Sequence, residues 1–519
     1  MLYYLIDTNN ILKVIKVKKI INIIGAFIFC MALTSCSSAG GISTFTAAVE
    51  EMPKNFDPQI ASESSDLLVI TNIFDGLYEK INGEIVPVLA EKTDISSDGK
   101  TYTISIKKGT VFNYKGDDKS MKDLPVTAHD FVFAINRILD PKTHSPYIDD
   151  FSNISSIKAK DDYTLVINLK HPDYNFTEKL CMPAAFPCNE KFFNTTGGAY
   201  GLSVENILSN GPFRLNYLDT ENGNATIVRT NEDKGLSRIR IKELTSSEQS
   251  EAYKNDEISG FFSYSSKQDN FENTAEISYN SSIISLVYNP VRSVFGNENV
   301  RKALGWYAFE FENSGANKEA VEGCKTIFPD AISVAGKYIN QVVTPETPSY
   351  MSQNPKELMA TGLSQSGVNR IENVTVLIPN DSIYSIVYEN VNQLWQKNLG
   401  QFFKVESLPS TQIKQRVVDG DFDIAFLPLT SDNDTPYGML DKFSHFNSEV
   451  MSLTEMAKSK SNQADSIPYI AKAQNIILDS ALSVPMGSEK TVFYYENYFE
   501  NIYVNPFNHV INLKHTVAK

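Results

Sequence analysis

Two aspartates, Asp432 and Asp434, stand two residues apart in the stretch DIAFLPLTSDNDTP, Asp423 to Pro436, where a strand-like apolar run gives way to acids and a proline. Acids in such a loop serve three chemistries: holding a metal ion, cleaving a bond as a carboxylate pair, or receiving a cationic group. As a calcium loop the stretch fails. Asp432, Asp434 and Pro436 would take its first, third and fifth positions, but proline offers no side-chain oxygen, and Tyr437 stands where glycine must turn. A hydrolytic pair would need a partner element, because acids this close in one loop do not themselves flank a scissile bond at the required separation.

Other motifs lead to no catalytic constellation. Gly99-Lys100-Thr101 has the end of a phosphate loop, yet Asp94 replaces its opening glycine and a strand, not a helix, is predicted to follow. Gly362-Leu363-Ser364-Gln365-Ser366 starts like a nucleophile elbow and lacks the closing glycine, Gly367 coming one place late. His129, His144, His171, His445, His509 and His515 are scattered, and no pair stands at zinc-ligand spacing. We expect no enzyme, no metal and no cofactor.

The elements that must position these residues begin behind an N-terminal address. Lys13, Lys16, Lys18 and Lys19 precede an apolar run from Ile20 to Leu33, too short to span a bilayer comfortably. It reads as a signal peptide, residues 1–35. Leu33-Thr34-Ser35-Cys36 resembles the bacterial lipoprotein box, in which the cysteine thiol takes a diacylglycerol; residues 36–43 would then be a lipidated, flexible tether. Of five cysteines, Cys30 would leave with the signal and Cys36 would carry lipid. That leaves Cys181, Cys188 and Cys324, with Cys181 and Cys188, in a proline-containing loop, the expected disulfide.

The mature chain reads as globular. Its length of 519 residues and 42% hydrophobic content allow about two to four domains. With 62 acidic and 47 basic residues, net −15, it is poorly suited to nucleic acid, whose phosphates demand Lys and Arg. TYTISI, Thr101 to Ile106, and YTLVINL, Tyr163 to Leu169, follow Asp-Gly and Asp-Asp turns and read as strands. Thr127-Ala128-His129-Asp130 reads as a capping box, with Phe131, Ile135, Ile138 and Leu139 on one helical face before Pro141. Further on, VTVLI (Val374 to Ile378), a helix carrying Ile383 to Leu399 and stopped by Gly400, FKVESL (Phe403 to Leu408), a helical piece around Ile413 to Val418, and DIAFL (Asp423 to Leu427) give a β-α-β-α-β order. That order predicts a parallel sheet.

Several stretches together carry a resemblance. Phe56-Asp57-Pro58, NIFDGLYEKINGEIVPVLAEK (Asn72 to Lys92), SSDGKTYTISIKKGTVF (Ser96 to Phe112) and PVTAHDFVFAINRILDPKTHSPY (Pro125 to Tyr147) resemble the substrate-binding proteins of bacterial oligopeptide ABC importers, solute-binding protein family 5. So do SNGPFRL (Ser209 to Leu215), NVRKAL (Asn299 to Leu304), the WQKNLG helix end with DGDFDIAFL, and PFNHVINLKH (Pro506 to His515).

The resemblance implies an α/β, two-lobed periplasmic-binding-protein-like fold of the class II type, with three domains and a hinge. Its parts would be a discontinuous sheet domain, 44–74 with 200–281 and 488–519, an inserted domain, 75–199, and a second lobe, 282–487. It implies a monomeric, extracytoplasmic protein, anchored to the membrane by lipid, that hands oligopeptides to an ABC permease. Aligned with the family, Asp432 would anchor the peptide ammonium, Asp434 would cap the turn, Tyr147 would be a cleft tyrosine, and Ser62, Glu63 and Ser64 would pair with the peptide main chain. The chain departs from the family at Leu429 and Asn433, in VRTNEDKG, and at Tyr307-Ala308-Phe309-Glu310, which bears on pocket shape more than on fold. A peptide-signal sensor or orphan binder of the same fold, and a lipid-anchored surface hydrolase, are the alternatives.

Replacing Cys36 with Ser is expected to release the protein from membranes into the medium; fractionation that finds it still membrane-bound would refute the anchor.

Overall fold

The computed structural model describes residues 43–231, 235–263, 271–292, 294–310, 323–380, 382–431 and 435–519. Cys36 and the whole predicted signal, and Asp432 and Asp434, lie outside them.

Alternation builds the first sheet. In Thr101–Ile106, Tyr102, Ile104 and Ile106 are buried, and in Thr164–Leu169 so are Leu165, Ile167 and Leu169, as a period of two requires when one face packs on a core. In chain order the principal elements begin with β1 (Thr44–Val49), α1 (Ser64–Ile73), a hairpin of β2 (Tyr78–Ile81) and β3 (Glu84–Pro87), β4 (Ala90–Ile95), β5 (Thr101–Ile106), α2 (Ala128–Leu139), β6 (Ile154–Asp161) and β7 (Thr164–Leu169). β4 to β7 form an antiparallel sheet in the order β4-β5-β7-β6. The capping box of α2 is made: the Asp130 carboxylate accepts from Thr127 N at 2.7 Å and Thr127 Oγ1 at 2.9 Å, and the helix ends at Asp140, before Pro141.

β8 (Phe213–Asp219), β9 (Asn224–Arg229), β10 (Arg238–Glu243) and β11 (Gly260–Ser263) follow, then β12 (Thr274–Tyr288) and α3 (Glu298–Glu310). Next come β13 (Thr375–Pro379), α4 (Ser382–Leu399), β14 (Lys404–Leu408), α5 (Ser410–Val418) and β15 (Ile424–Thr430). The chain continues through α6 (Pro436–Ser444), α7 (Ser448–Lys458), α8 (Ile467–Asp479), β16 (Ser483–Glu496), β17 (Tyr503–Asn505) and β18 (Val510–Asn512). β13 lies parallel to both β14 and β15, with α4 and α5 as crossovers, matching the order read from sequence. Val387, Val391 and Trp395 form the buried stripe of α4, and Gly400, at φ +63°, turns the chain out of it.

Among the described residues ten strands share one sheet, in the order β14-β13-β15-β12-β16-β11-β1-β10-β9-β8. Its centre is the antiparallel pair of β12, 15 residues, and β16, 14 residues. β15 pairs with β12 only from Ser282 to Tyr288, whereas β11 pairs with β16 only from Val492 to Tyr495. The two halves of the sheet thus hang on opposite ends of one two-stranded ribbon, roughly 50 Å long. The β12–β16 register shifts between Asn280 and Ser282 and again between Ile284 and Ser285, bulges that bend a strand and raise its twist.

Packing follows the halves. Phe45, Phe56, Ile70, Phe213 and Phe499 fill one core beside α1, and Tyr102, Phe131, Ile167 and Phe176 another under β5 and β7. The β12–β15 half is covered on both faces. Ile284, Val376, Trp395 and Phe426 pack with α3 and α4; Ile283, Leu377, Ala425 and Leu427 pack with α6, α7 and α8.

The expected disulfide is absent. The Cys181 thiol donates to Thr177 O at 3.4 Å, whereas Cys188 is wholly buried beside Arg137 Nη1 at 3.6 Å. A 3-10 turn, Pro183–Ala185, and extended backbone carry residue 188 into the core, where burial pushes its thiol up to about 12.

The tail motif PFNHVINLKH ties the C-terminus to α1 and β2. Asn72 donates to Ile511 O at 2.9 Å and accepts from Leu513 N at 2.7 Å. Buried Lys514 stands 3.1 Å from Asp75 and 3.0 Å from Glu79, and His515 Nε2 is 2.9 Å from Glu79 Oε2. Burial alone would raise the Glu79 carboxyl, but bonds from His515, Lys514 and Asn512 outweigh it and hold it at about 2.

A depressed carboxyl contributes stability that is present above its unfolded value near 4.5 and is lost as pH falls toward 2. Urea unfolding should therefore show Glu79→Gln less stable than wild type at pH 6, by about 2–3 kcal/mol, with the gap narrowing below pH 4; a gap independent of pH would refute this role.

Candidate functional site: an interlobe cleft

The site begins where parallel strands end. Ser282 of β12 lies opposite Thr430, the last residue of β15, while Tyr288 lies opposite Ile424, the first. The carboxyl ends of β15 and of its parallel neighbours β13 and β14 therefore face the end at which the β12–β16 ribbon passes to the other half. In open α/β sheets ligands sit outside such carboxyl ends. α4 starts just past β13 and α6 follows β15, so two helix N-termini, the positive ends of their dipoles, lie at this same edge of the sheet. The link from β15 to α6 is the segment that contains Asp432 in the sequence.

The other candidate segment, the strip from Asp57 to Ser64, is fixed by a buried polar network. Arg137 of α2 grips Asp57 with two parallel bonds, Nη2 to Oδ2 at 2.5 Å and Nη1 to Oδ1 at 3.0 Å, and donates to Gln59 Oε1 at 2.7 Å. Its guanidinium plane lies 4.2 Å from the Phe193 ring centroid. Burial works against this charge, but Asp57 more than restores it and the Arg137 pKa is raised. Gln59 Nε2 donates to Ala184 O and Phe186 O at 3.0 and 3.1 Å, and Ser145 Oγ donates to Gln59 O at 2.6 Å.

Tyr147 completes this fixing. Its hydroxyl donates to Ala61 O at 2.5 Å while its ring packs on the core under β5 and β7, and burial, with Asp150 nearby, pushes the phenol up to about 12. Beyond Ala61, Ser62, Glu63 and Ser64 are exposed; Glu63 is the extended N-cap of α1 and Ser64 its first residue. Tyr147 and the 62–64 strip are thus brought together.

Other contacts join segments far apart in the chain. Gln463 Nε2 donates to Glu178 Oε1 at 2.9 Å, and Gly83, at the tip of the β2–β3 hairpin, comes so near Ser333 that a Cβ there would lie 3.3 Å from the serine Cβ. Phe507, from the β17–β18 turn, packs on the core around Ile283 and Leu427.

Sequence reasoning missed Arg137 and Gln59 as positioning residues, although Asp57 and Arg137 both lie in stretches that carried the resemblance. The only local signal was an arginine next to the apolar face of α2, and nothing local names a partner 80 positions away.

The sequence profile of the bacterial extracellular solute-binding proteins, family 5, middle region, matches residues 84–449. The chain belongs to this family. Family 5 proteins are extracytoplasmic binders of solutes rather than enzymes. The oligopeptide-binding protein OppA of Bacillus subtilis is 22% identical over 525 residues, covering 88% of this chain and 92% of that one. The oligopeptide-binding protein AliB of Streptococcus pneumoniae is 26% identical over 385 residues, covering 63% of this chain; the match spans 58% of AliB. Among solved structures, Listeria monocytogenes OppA bound to peptide aligns at TM-score 0.66 and 22% identity, covering 92% of this chain and all of the other. The Escherichia coli murein tripeptide binding protein MppA aligns at 0.68 and 19%, covering 93% and 99%. These likenesses show the two-lobed fold of the family.

Arg137→Met should cost about 3–5 kcal/mol in urea unfolding, because it strands the Asp57 carboxylate in the core. The double variant Asp57→Asn/Arg137→Met should recover much of that loss; a single variant as stable as wild type would refute the role of the pair.

Proposed function

We propose that this protein captures oligopeptides in its interlobe cleft and delivers them to an ABC permease, held outside the cytoplasmic membrane by lipid on Cys36. The observation that carries the reading is the single β12–β16 ribbon joining both halves of the sheet, with the carboxyl end of β15 and those of its parallel neighbours at the end where the ribbon passes to the other half. The names of the OppA and AliB relatives and the peptide held by Listeria OppA support the choice of solute. The parts would be 44–74 with 200–281 and 488–519, the inserted domain 75–199, and the second lobe 282–487, the chain crossing between lobes in β12 and β16. It would act as a monomer.

In this reading the main chain of an extended peptide pairs with the 62–64 strip, as an added strand pairs with a sheet edge. Backbone bonds supply affinity that is largely indifferent to sequence, and water fills whatever pocket volume the side chains leave. Asp432 receives the terminal ammonium, a charge-assisted bond stronger than a neutral one. Tyr147 holds the strip through Ala61 and borders the peptide. Ligand favours the closed form because only closure completes its contacts.

Asp432→Ala should weaken binding of peptides with free amino termini by about 10- to 100-fold and abolish the difference between free and N-acetylated forms of one sequence. Calorimetry that finds no loss would eliminate the anchor.

A further inference from the structure

Glu489 of β16 occupies an unusual place in this fold. It sits on the rung where Ser282 pairs with it on one side and with Thr430 on the other. Directly opposed residues in antiparallel strands share a face, so Glu489, Ser282 and Thr430 stand side by side at the carboxyl end of β15. The β12 bulge between Asn280 and Ser282 adjoins the same rung. Its carboxylate is half-buried and held from two sides: Tyr384 Oη, at the start of α4, donates to Oε1 at 2.8 Å, and Ser282 Oγ donates to Oε2. Ser282 and Tyr384 are themselves buried, each 2% exposed.

Both donors are neutral. Among the described residues no lysine, arginine or histidine forms an ion pair with Glu489, in contrast to Asp57 and Glu79, whose charges are met by Arg137 and Lys514. A partly desolvated carboxylate without a cation carries an unmet electrostatic demand. Two hydroxyl donors also occupy only part of its acceptor capacity, which is about four lone pairs.

We propose that Glu489 is a ligand-binding residue that receives the ammonium or guanidinium of a lysine or arginine side chain in the bound peptide, giving this protein a preference for basic peptides. This rests on the peptide reading above. The terminal ammonium belongs to Asp432 in that reading, which leaves Glu489 to a side chain. Because the charge pair forms on the rung beside the bulge, a basic ligand also braces the ribbon where it bends.

The test is calorimetry with one peptide sequence carrying either lysine or norleucine, each free and N-acetylated, against wild type, Glu489→Gln and Tyr384→Phe. Wild type should bind the lysine form at least about tenfold more tightly than the norleucine form at one position of the peptide. Glu489→Gln should erase that preference while leaving norleucine affinity and the acetylation contrast within about twofold of wild type. Tyr384→Phe should keep the preference, since the charge stays. Peptide binding that ignores lysine in wild type, or a Glu489→Gln variant that weakens both forms equally, would overturn the assignment alone. Failure of wild type to bind any of the four peptides would overturn it together with the peptide reading.

Discussion

One two-stranded ribbon, β12 paired with β16, belongs to both halves of the molecule, and the rest of the architecture depends on it. A ladder of backbone hydrogen bonds resists sliding far more than bending, because sliding by one residue would turn every side chain to the opposite face of the sheet. Ile283, Val287, Ile284 and Leu286 point alternately into two cores, which pins the register at the second-lobe end. At the other end Phe493 lies in the core beside α1. Bending is left, and the two register shifts between residues 280 and 285 place it in the middle of the ribbon.

A hinge is useful only if what it joins is stiff. In the first lobe stiffness comes from buried charges whose partners are far away in the chain: Asp57 with Arg137, and Glu79 and Asp75 with Lys514. Losing either partner of such a pair leaves a buried charge, so these pairs hold the discontinuous segments in one arrangement. Other long-range contacts are of another kind. Among the described residues the amide–carboxylate bond from Gln463 to Glu178 and the approach of Gly83 to Ser333 are contacts that each contribute little net energy.

Much of this was legible in the sequence wherever a local rule decides. The strands at Thr101–Ile106 and Thr164–Leu169, the capped helix before Pro141 and the parallel β-α-β-α-β unit all follow from periodicity and caps, and all are present. The disulfide was misread because spacing says nothing of direction: Cys188 turns inward to Arg137 while Cys181 stays in a turn with its thiol on Thr177 O. Joining both halves in one sheet was not legible, since β12 and β16 are long strands whose two ends serve different cores. Arg137 and Glu489 were missed for a related reason. Each gets its meaning from residues distant in the chain, and an isolated charge in an apolar stretch does not reveal who meets it. Asp432 and Cys36 lie outside the described residues, so their roles rest on sequence alone.

The central claim is that a peptide closes these two lobes by bending the ribbon. Its most direct test is single-molecule energy transfer between dyes at Glu84 and Lys337, exposed positions beside the Gly83–Ser333 approach. The expected result is a population containing a longer, open distance without ligand that collapses to the short distance as peptide saturates. A distance distribution unchanged by peptide that calorimetry shows to be bound would contradict the account.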